Sequence, residues 1–158
     1  MSHDSENFKN TIERKSKKLA ELGSILAKNQ FTYKIQEKTT KAYWEKRVQE
    51  LKKYDETSLA YYNEIQNIMN LVNKDEAQTY LLHISKFRQL STELIKIMEK
   101  VKENPSIIDS KDKQQSLWSK EVKKEVLEIS KNCVEHEKYM NDIFRKFYEI
   151  NIKKILYE

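Results

Sequence analysis

The chain has 158 residues with one glycine and one proline, and 30 basic and 25 acidic residues give a net charge of +5. Strands, hairpins and phosphate-binding loops depend on glycine for their tight turns, so this composition argues against sheet-rich folds and excludes glycine-rich nucleotide sites. A charged fraction of 35% beside a hydrophobic fraction of 38% favours helices that each bury one stripe.

A first helix is predicted from about residue 5 to residue 72, because apolar residues recur there every three or four positions. The repeat forms two stripes that are out of phase by one residue across a polar stretch, residues 36–41. The helix can run through this stretch or break near residues 29–32, and we predict a continuous helix, kinked if at all near residues 29–40. Polar residues interrupt the stripes at Lys15, Asn29, Asp55 and Ser58.

Two further helices are predicted at residues 75–103 and 113–157. The first starts after Asn73, is interrupted only by Ser91, and ends before a loop at residues 104–112 that contains Pro105. The last helix carries the most regular stripe, and its apolar face widens towards the C-terminus. Its stripe residues are Val122, Val126, Ile129, Cys133, His136, Met140, Ile143, Phe147, Ile150 and Tyr157, with Lys154 as the exception.

The whole chain, residues 1–158, is therefore predicted to be a single all-α domain, an elongated antiparallel three-helix coiled coil or bundle. The first helix is too long for the second to cover alone. Part of it must lie against the third helix, against another chain or in water, which favours a partner. The predicted partner-binding residues are Phe8, Ile12, Leu19, Leu22, Leu26, Phe144, Phe147, Tyr148, Ile152, Ile155 and Leu156.

Two groups of residues raise the question of a chemical site. Cys133 and His136 stand three residues apart on one helical face, which could hold two metal ligands. They are predicted to be core residues, because both fall on the apolar stripe and the chain has no second cysteine–histidine pair to complete a metal site. A metal shared between symmetry-related chains is the alternative. A basic cluster at residues 14–18 is predicted to be a solvated face, with contact to phosphate or an acidic surface as the alternative. Its charged members are Arg14, Lys15, Lys17 and Lys18.

No catalytic, cofactor-binding or metal-binding residue is predicted, and the chain is expected not to be an enzyme. The favoured hypothesis is a coiled-coil scaffold or adaptor that binds protein partners or itself through its helical seams. The alternative is a module with BAR-like architecture or a basic helix that associates with acidic membranes. Interspersed charges argue against nucleic acid as a partner. A lone cysteine and a polar N-terminus favour the cytoplasm, with nuclear or cytoskeletal association as alternatives.

Overall fold

In the computed structural model, four long helices pack against each other, and the described residues contain no strand. The structure describes the backbone of residues 2–28, 31, 40–105 and 113–157, and the side chains of the same residues except 2–5 and 113–119. The elements are α1 (Ser2–Lys28), α2 (Lys41–Val72), α3 (Lys74–Glu103), α4 (Lys113–Phe147), a π-helical turn (Tyr148–Ile152) and α5 (Lys153–Tyr157). The all-α prediction is confirmed, and the three-helix count is wrong.

The predicted first helix is two helices rather than one. α1 ends at Lys28, and α2 begins at Lys41 after Thr40, whose side-chain oxygen accepts a hydrogen bond from the backbone N–H of Tyr43 at 3.2 Å. Residues 29, 30 and 32–39 lie outside the described residues. Burial explains the break, because a continuous helix of 68 residues would be about 100 Å long and could not fold its first stripe back onto its second.

Consecutive helices run antiparallel. Along α1 and α2, Lys15 lies near Glu64 and Gly23 near Tyr61, so residue numbers rise on one helix as they fall on the other. Asn73 alone joins α2 to α3, and its side chain caps α3 by accepting from the N–H of Glu76 at 3.1 Å. α3 starts one residue before its predicted position and ends at the predicted residue. The result is an up-down-up-down bundle in which α4 and α5 return beside α1.

The core consists of two clusters that lie at opposite ends of the bundle. The first cluster joins α1, the C-terminal half of α2, the N-terminal half of α3 and the C-terminal part of α4, with Ile12, Ile65 and Ile152 fully buried. The second cluster joins the N-terminal half of α2, the C-terminal half of α3 and α4, and Phe31 covers part of it. The space between the two clusters therefore contains polar residues that interrupt the apolar stripes.

The C-terminal helix departs from its predicted stripe at the π-helical turn. The stripe predicts that Ile150 faces the seam, yet its side chain is 62% exposed, whereas Ile152 is fully buried. A π-helical turn contains about one residue more than an α-helical turn, so the positions after Phe147 are rotated relative to the repeat. This rotation gives a physical reason for the widened apolar face near the C-terminus.

Candidate functional site

A polar layer separates the two core clusters. Its members come from three helices: Tyr54, Asp55 and Ser58 on α2, Ser91 on α3, and Glu137 on α4. Ser58, Ser91 and Glu137 are all buried. The interruptions that the sequence shows at positions 55, 58 and 91 are therefore one feature in three dimensions, because antiparallel packing brings these positions to the same level.

Glu137 is the most perturbed carboxylate of this layer. The Tyr54 hydroxyl donates to both of its oxygens, at 2.9 and 3.2 Å. Burial raises the pKa of Glu137 to about 7, the Tyr54 hydrogen bond opposes that rise, and repulsion from Asp55 adds to it. The carboxyl group therefore exchanges its proton near neutral pH. Burial, followed by the charge of Glu137, also raises the pKa of Tyr54, so the phenol remains a donor.

Asp55 is the second carboxylate of the layer. Burial raises its pKa, and the Ser91 hydroxyl and the positive charge of Arg88 both act in the opposite direction. Within the described part of the chain, its buried Oδ1 atom has no hydrogen-bond partner. An unsatisfied buried polar atom costs free energy, so Asp55 lowers the stability of the bundle locally.

A cavity of about 490 Å³ lies between α1 and α4, with Glu137 among its lining residues. α1 contributes small and aliphatic side chains, α2 contributes tyrosines, and α4 contributes polar and aromatic groups. The lining residues are Gly23, Leu26, Ala27, Tyr54, Tyr61, Tyr62, Glu137, Asn141, Phe144 and Arg145. A Cβ atom at position 23 would lie 3.4 Å from Cε2 of Tyr61, so the only glycine of the chain stands directly against a tyrosine ring of this cavity.

A second concave surface, the α3–α4 groove, has a volume of about 500 Å³. Its floor includes the buried core residues Met69, Tyr80 and Phe147, while Tyr139 and Ile150 in its walls are 52% and 62% exposed. The remaining lining residues are Asn73, Glu76, Thr79, His83, Ile143, Lys146 and Asn151. The groove thus presents apolar surface to solvent with one acidic and one basic residue among its lining.

His83 lines this groove, and the neighbouring His136 on α4 contacts His83. The side-chain Nε2 of His136 donates a hydrogen bond to the backbone oxygen of His83 at 2.7 Å. Cys133 is fully buried in the second core cluster, and burial raises the pKa of its thiol to about 12. Within the described part of the chain, no group of three or more histidine, cysteine, aspartate and glutamate residues could hold a metal ion.

The predicted partner-binding residues lie mostly against the chain's own core. Ile12, Leu19, Phe147 and Ile152 are buried in the first core cluster, and Phe8 is 37% exposed. Leu22, Leu26, Phe144, Tyr148, Ile155 and Leu156 are half-buried. Because α1 and the C-terminal helix cover each other, these seams do not require another chain, and partner contact through them stays a prediction.

Two of the four basic residues predicted as a cluster on α1 form ion pairs within the bundle. The Nζ atoms of Lys15 and Lys18 lie 3.7 and 3.6 Å from the two carboxylate oxygens of buried Glu64, so these lysines form part of the α1–α2 interface. Arg14 and Lys17 are exposed. An acidic partner could therefore contact Arg14 and Lys17 directly, but it would compete with Glu64 for Lys15 and Lys18.

Sequence reasoning missed Glu137 as the central residue of the polar layer. The predicted stripe passes through Cys133, His136 and Met140, yet a stripe through Cys133, Glu137 and Met140 has equally good spacing of four and three residues. The structure selects the second one, because Glu137 is 9% exposed and His136 is half-buried. The existence of two equally well-spaced stripes was the sequence signal that Glu137 could face the core.

Comparison of the chain with protein-family models, with curated proteins and with solved structures found no match. Among the described residues, no helix combines the length and the apolar character needed to cross a membrane.

Proposed function

We propose that this chain is a non-enzymatic adaptor that acts through helix–helix contacts, holding an amphipathic helix of a partner protein in the α3–α4 groove. The observation that carries the proposal is the exposure of Tyr139 and Ile150 beside a floor of buried core residues. Recognition of an amphipathic helix uses an apolar groove of this kind, with the apolar face of the guest helix placed along it.

The composition of the groove supports a helical guest. Tyr139 and Ile150 supply large apolar contact area, and aromatic side chains are enriched at the centres of protein interfaces. Glu76 and Lys146 provide charges of both signs, which suit a guest helix that carries polar residues beside its apolar stripe.

Crosslinking in the cell tests the proposal and identifies the partner in the same experiment. A photoreactive amino acid is placed at position 139 or 150, and at exposed Lys53 on α2 as the control, in cells that naturally contain the protein. We expect one protein to be crosslinked from both groove positions and not from position 53, with the crosslinked peptide in an amphipathic helix. Equal crosslinking from all three positions would contradict the proposal.

The purified partner then allows a matched pair of variants on the same helix. Ile150→Glu places a charge in the groove, and we expect it to weaken binding at least about tenfold, since burying an unpaired charge at an interface is costly. Leu127→Glu makes the same change at a residue that is 55% exposed and lies outside the groove, and should leave the affinity unchanged. A homodimer that Ile150→Glu dissociates would replace the partner helix with a second copy of the chain.

A second candidate function is association with an acidic membrane surface, which a lysine ridge on α4 favours. Lys120, Lys123, Lys124 and Lys131 surround Leu127 there, together with one acidic residue, Glu128. Each lysine near an anionic membrane contributes about 1 kcal/mol, and salt screens the attraction. Vesicles rich in acidic lipid should therefore bind the protein at low salt.

The lysine ridge has its own matched control. Replacement of Lys123 and Lys124 by Gln should release the protein from these vesicles, whereas replacement of Lys52 and Lys53 on α2 should not. Binding that survives the first pair of substitutions, or that does not respond to salt, would exclude the ridge as a membrane contact.

A further inference from the structure

The cavity between α1 and α4 contains a buried carboxylate that pairs with no cationic side chain of the described residues. Glu137 is 9% exposed, and the donor that reaches its oxygens is the neutral hydroxyl of Tyr54. Among the ion pairs of the described residues, none includes Glu137. Burial of a carboxylate is costly unless a positive charge and hydrogen bonds compensate for it, so a ligand that brings a cation would be favoured here.

The charged and titratable groups described around Glu137 do not supply a positive charge that pairs with its carboxylate, so a ligand could supply one. Asp55 on α2 repels a negative charge, and burial holds Cys133 on α4 in its neutral thiol form. Arg145 also lines the cavity, but its guanidinium lies 3.0 Å from the carboxylate of Asp142 and its side chain is 70% exposed. On α3, Arg88 acts on Asp55. α1 contributes only uncharged residues to the lining.

The remaining walls have the chemistry that stabilises an organic cation. Tyr54, Tyr61, Tyr62 and Phe144 place aromatic rings around the cavity, and the face of an aromatic ring attracts an ammonium group. An ionised carboxylate has about four acceptor positions, of which the Tyr54 hydroxyl occupies two, so N–H donors of a ligand can use the others. The volume of about 490 Å³ is that of a small-molecule site.

We propose that this cavity binds a small alkylammonium ion, with the ammonium group against the Glu137 carboxylate and the alkyl part between the tyrosine rings and the aliphatic wall of α1. The cation can be a free amine or the side chain of a lysine residue, which share this chemistry. The proposal is independent of the α3–α4 groove, which is lined by different residues.

The experiment measures binding of n-butylammonium to the full chain at pH 8 by the NMR signals of its tyrosine rings, with 1-butanol as the neutral ligand of the same size. A ligand of five heavy atoms is expected to bind with a Kd of about 1–10 mM. We expect 1-butanol to bind at least about tenfold more weakly, because it cannot supply the charge. Saturating butylammonium should also lower the pKa of the Glu137 carboxyl group, since the cation stabilises the ionised form.

Two variants and a control locate the site. Glu137→Gln keeps the shape of the side chain and should weaken butylammonium binding at least about tenfold. Tyr61→Leu removes one ring of the wall, and we expect an effect of about two- to fivefold. Glu128→Gln removes an exposed carboxylate from the same helix and should have no effect.

The source of the cation is decided by a capped lysine, N-acetyl-lysine methylamide, tested beside butylammonium. Binding that is equal or tighter supports a lysine of a partner protein, whereas binding by butylammonium alone supports a free amine. Equal affinity for 1-butanol and butylammonium, affinity unchanged by Glu137→Gln, or no binding up to 100 mM ligand would each overturn the proposal.

Discussion

Two carboxylates are buried among the described residues, and the bundle stabilises them in different ways. Glu64, 5% exposed, lies at the α1–α2 interface with the ammonium groups of Lys15 and Lys18 at 3.7 and 3.6 Å. Glu137, 9% exposed, lies in the polar layer, and the Tyr54 hydroxyl is the donor that reaches it among the described residues. One site therefore compensates charge with charge, and the other compensates it with a neutral donor.

The two sites show that a buried carboxylate can be compensated in different ways. The ammonium groups of Lys15 and Lys18 lie beside Glu64, whereas desolvation and the charge of Asp55 both raise the pKa of Glu137. The polar layer thus contains a carboxyl group, Glu137, whose charge changes near neutral pH, and substitutions at each site distinguish the two experimentally.

The largest effect is expected from pH acting on Glu137. Its pKa is raised from 4.5 to about 7 on folding, so the folded state binds more protons between these values and stability falls as pH rises through this range. The penalty is fully present above pH 7 and amounts to about 3 kcal/mol. Glu137→Gln should remove it, so urea unfolding should show the variant gaining stability relative to the parent chain between pH 5 and pH 8. A constant difference across this range would contradict the prediction.

Tyr54→Phe tests the neutral donor. It removes the hydrogen bond to an ionised carboxylate and should cost about 2 kcal/mol at pH 8, with a smaller cost at pH 5 where Glu137 is protonated. The pKa of Glu137 should rise further, because the hydrogen bond opposes that rise. Denaturant unfolding at both pH values checks this. Tyr139→Phe removes a hydroxyl from an exposed residue and serves as the control.

The lysine pair of Glu64 is tested by the combined substitution of Lys15 and Lys18 by Met. We expect a loss of about 1–2 kcal/mol at pH 7, below the full cost of breaking a buried pair, because the lysine side chains are 29% and 64% exposed. The loss should largely disappear when Glu64 is also changed to Gln, which a double-mutant cycle measures. Lys17→Met changes an exposed lysine of the same cluster and should have little effect.

The smallest effect is expected for an ion pair on the surface of α4. Lys131 and Glu135 lie 3.8 Å apart with side chains that are 74% and 61% exposed. Lys131→Met should change stability by less than about 0.5 kcal/mol, and added salt should remove even this difference. A larger loss of stability in thermal unfolding would show that the exposure of an ion pair is a poor guide to its strength. The difference between Glu64 and Glu137 could then not be explained by burial and pairing.

The features that depend on local chemistry were predictable from the sequence. The start of α3 follows from Asp75 and Glu76, which suit the first turn of a helix, and α3 begins at Lys74, one residue before the predicted start. Its end before Pro105 follows from the conformational restriction on Asn104. The all-α class follows from the near absence of glycine and proline together with the helical spacing of apolar residues.

The features that depend on distant contacts were not predictable in this way. The spacing of apolar residues permits either one helix or two across residues 29–40, and the packing of Ile12 against α2 decides between them. Asp55, Ser58 and Ser91 appear in the sequence as isolated interruptions, because their common level follows only from the antiparallel alignment of the helices. The interruptions at these three residues could therefore be recognised in the sequence, but their grouping into one layer could not.

The π-helical turn at Tyr148–Ile152 has a consequence for insertions and deletions in this chain. Phe147 and Ile152 are both buried although five residues apart, and the Asn151 side chain donates to the backbone oxygen of Phe147 at 3.3 Å. Loss of one residue within the turn would restore ordinary α-helical geometry and keep both sides facing the core. Loss of one residue a few turns earlier would rotate Phe147 and everything after it away from α1. Length variation should therefore be tolerated at this turn and selected against in α4, which precedes it.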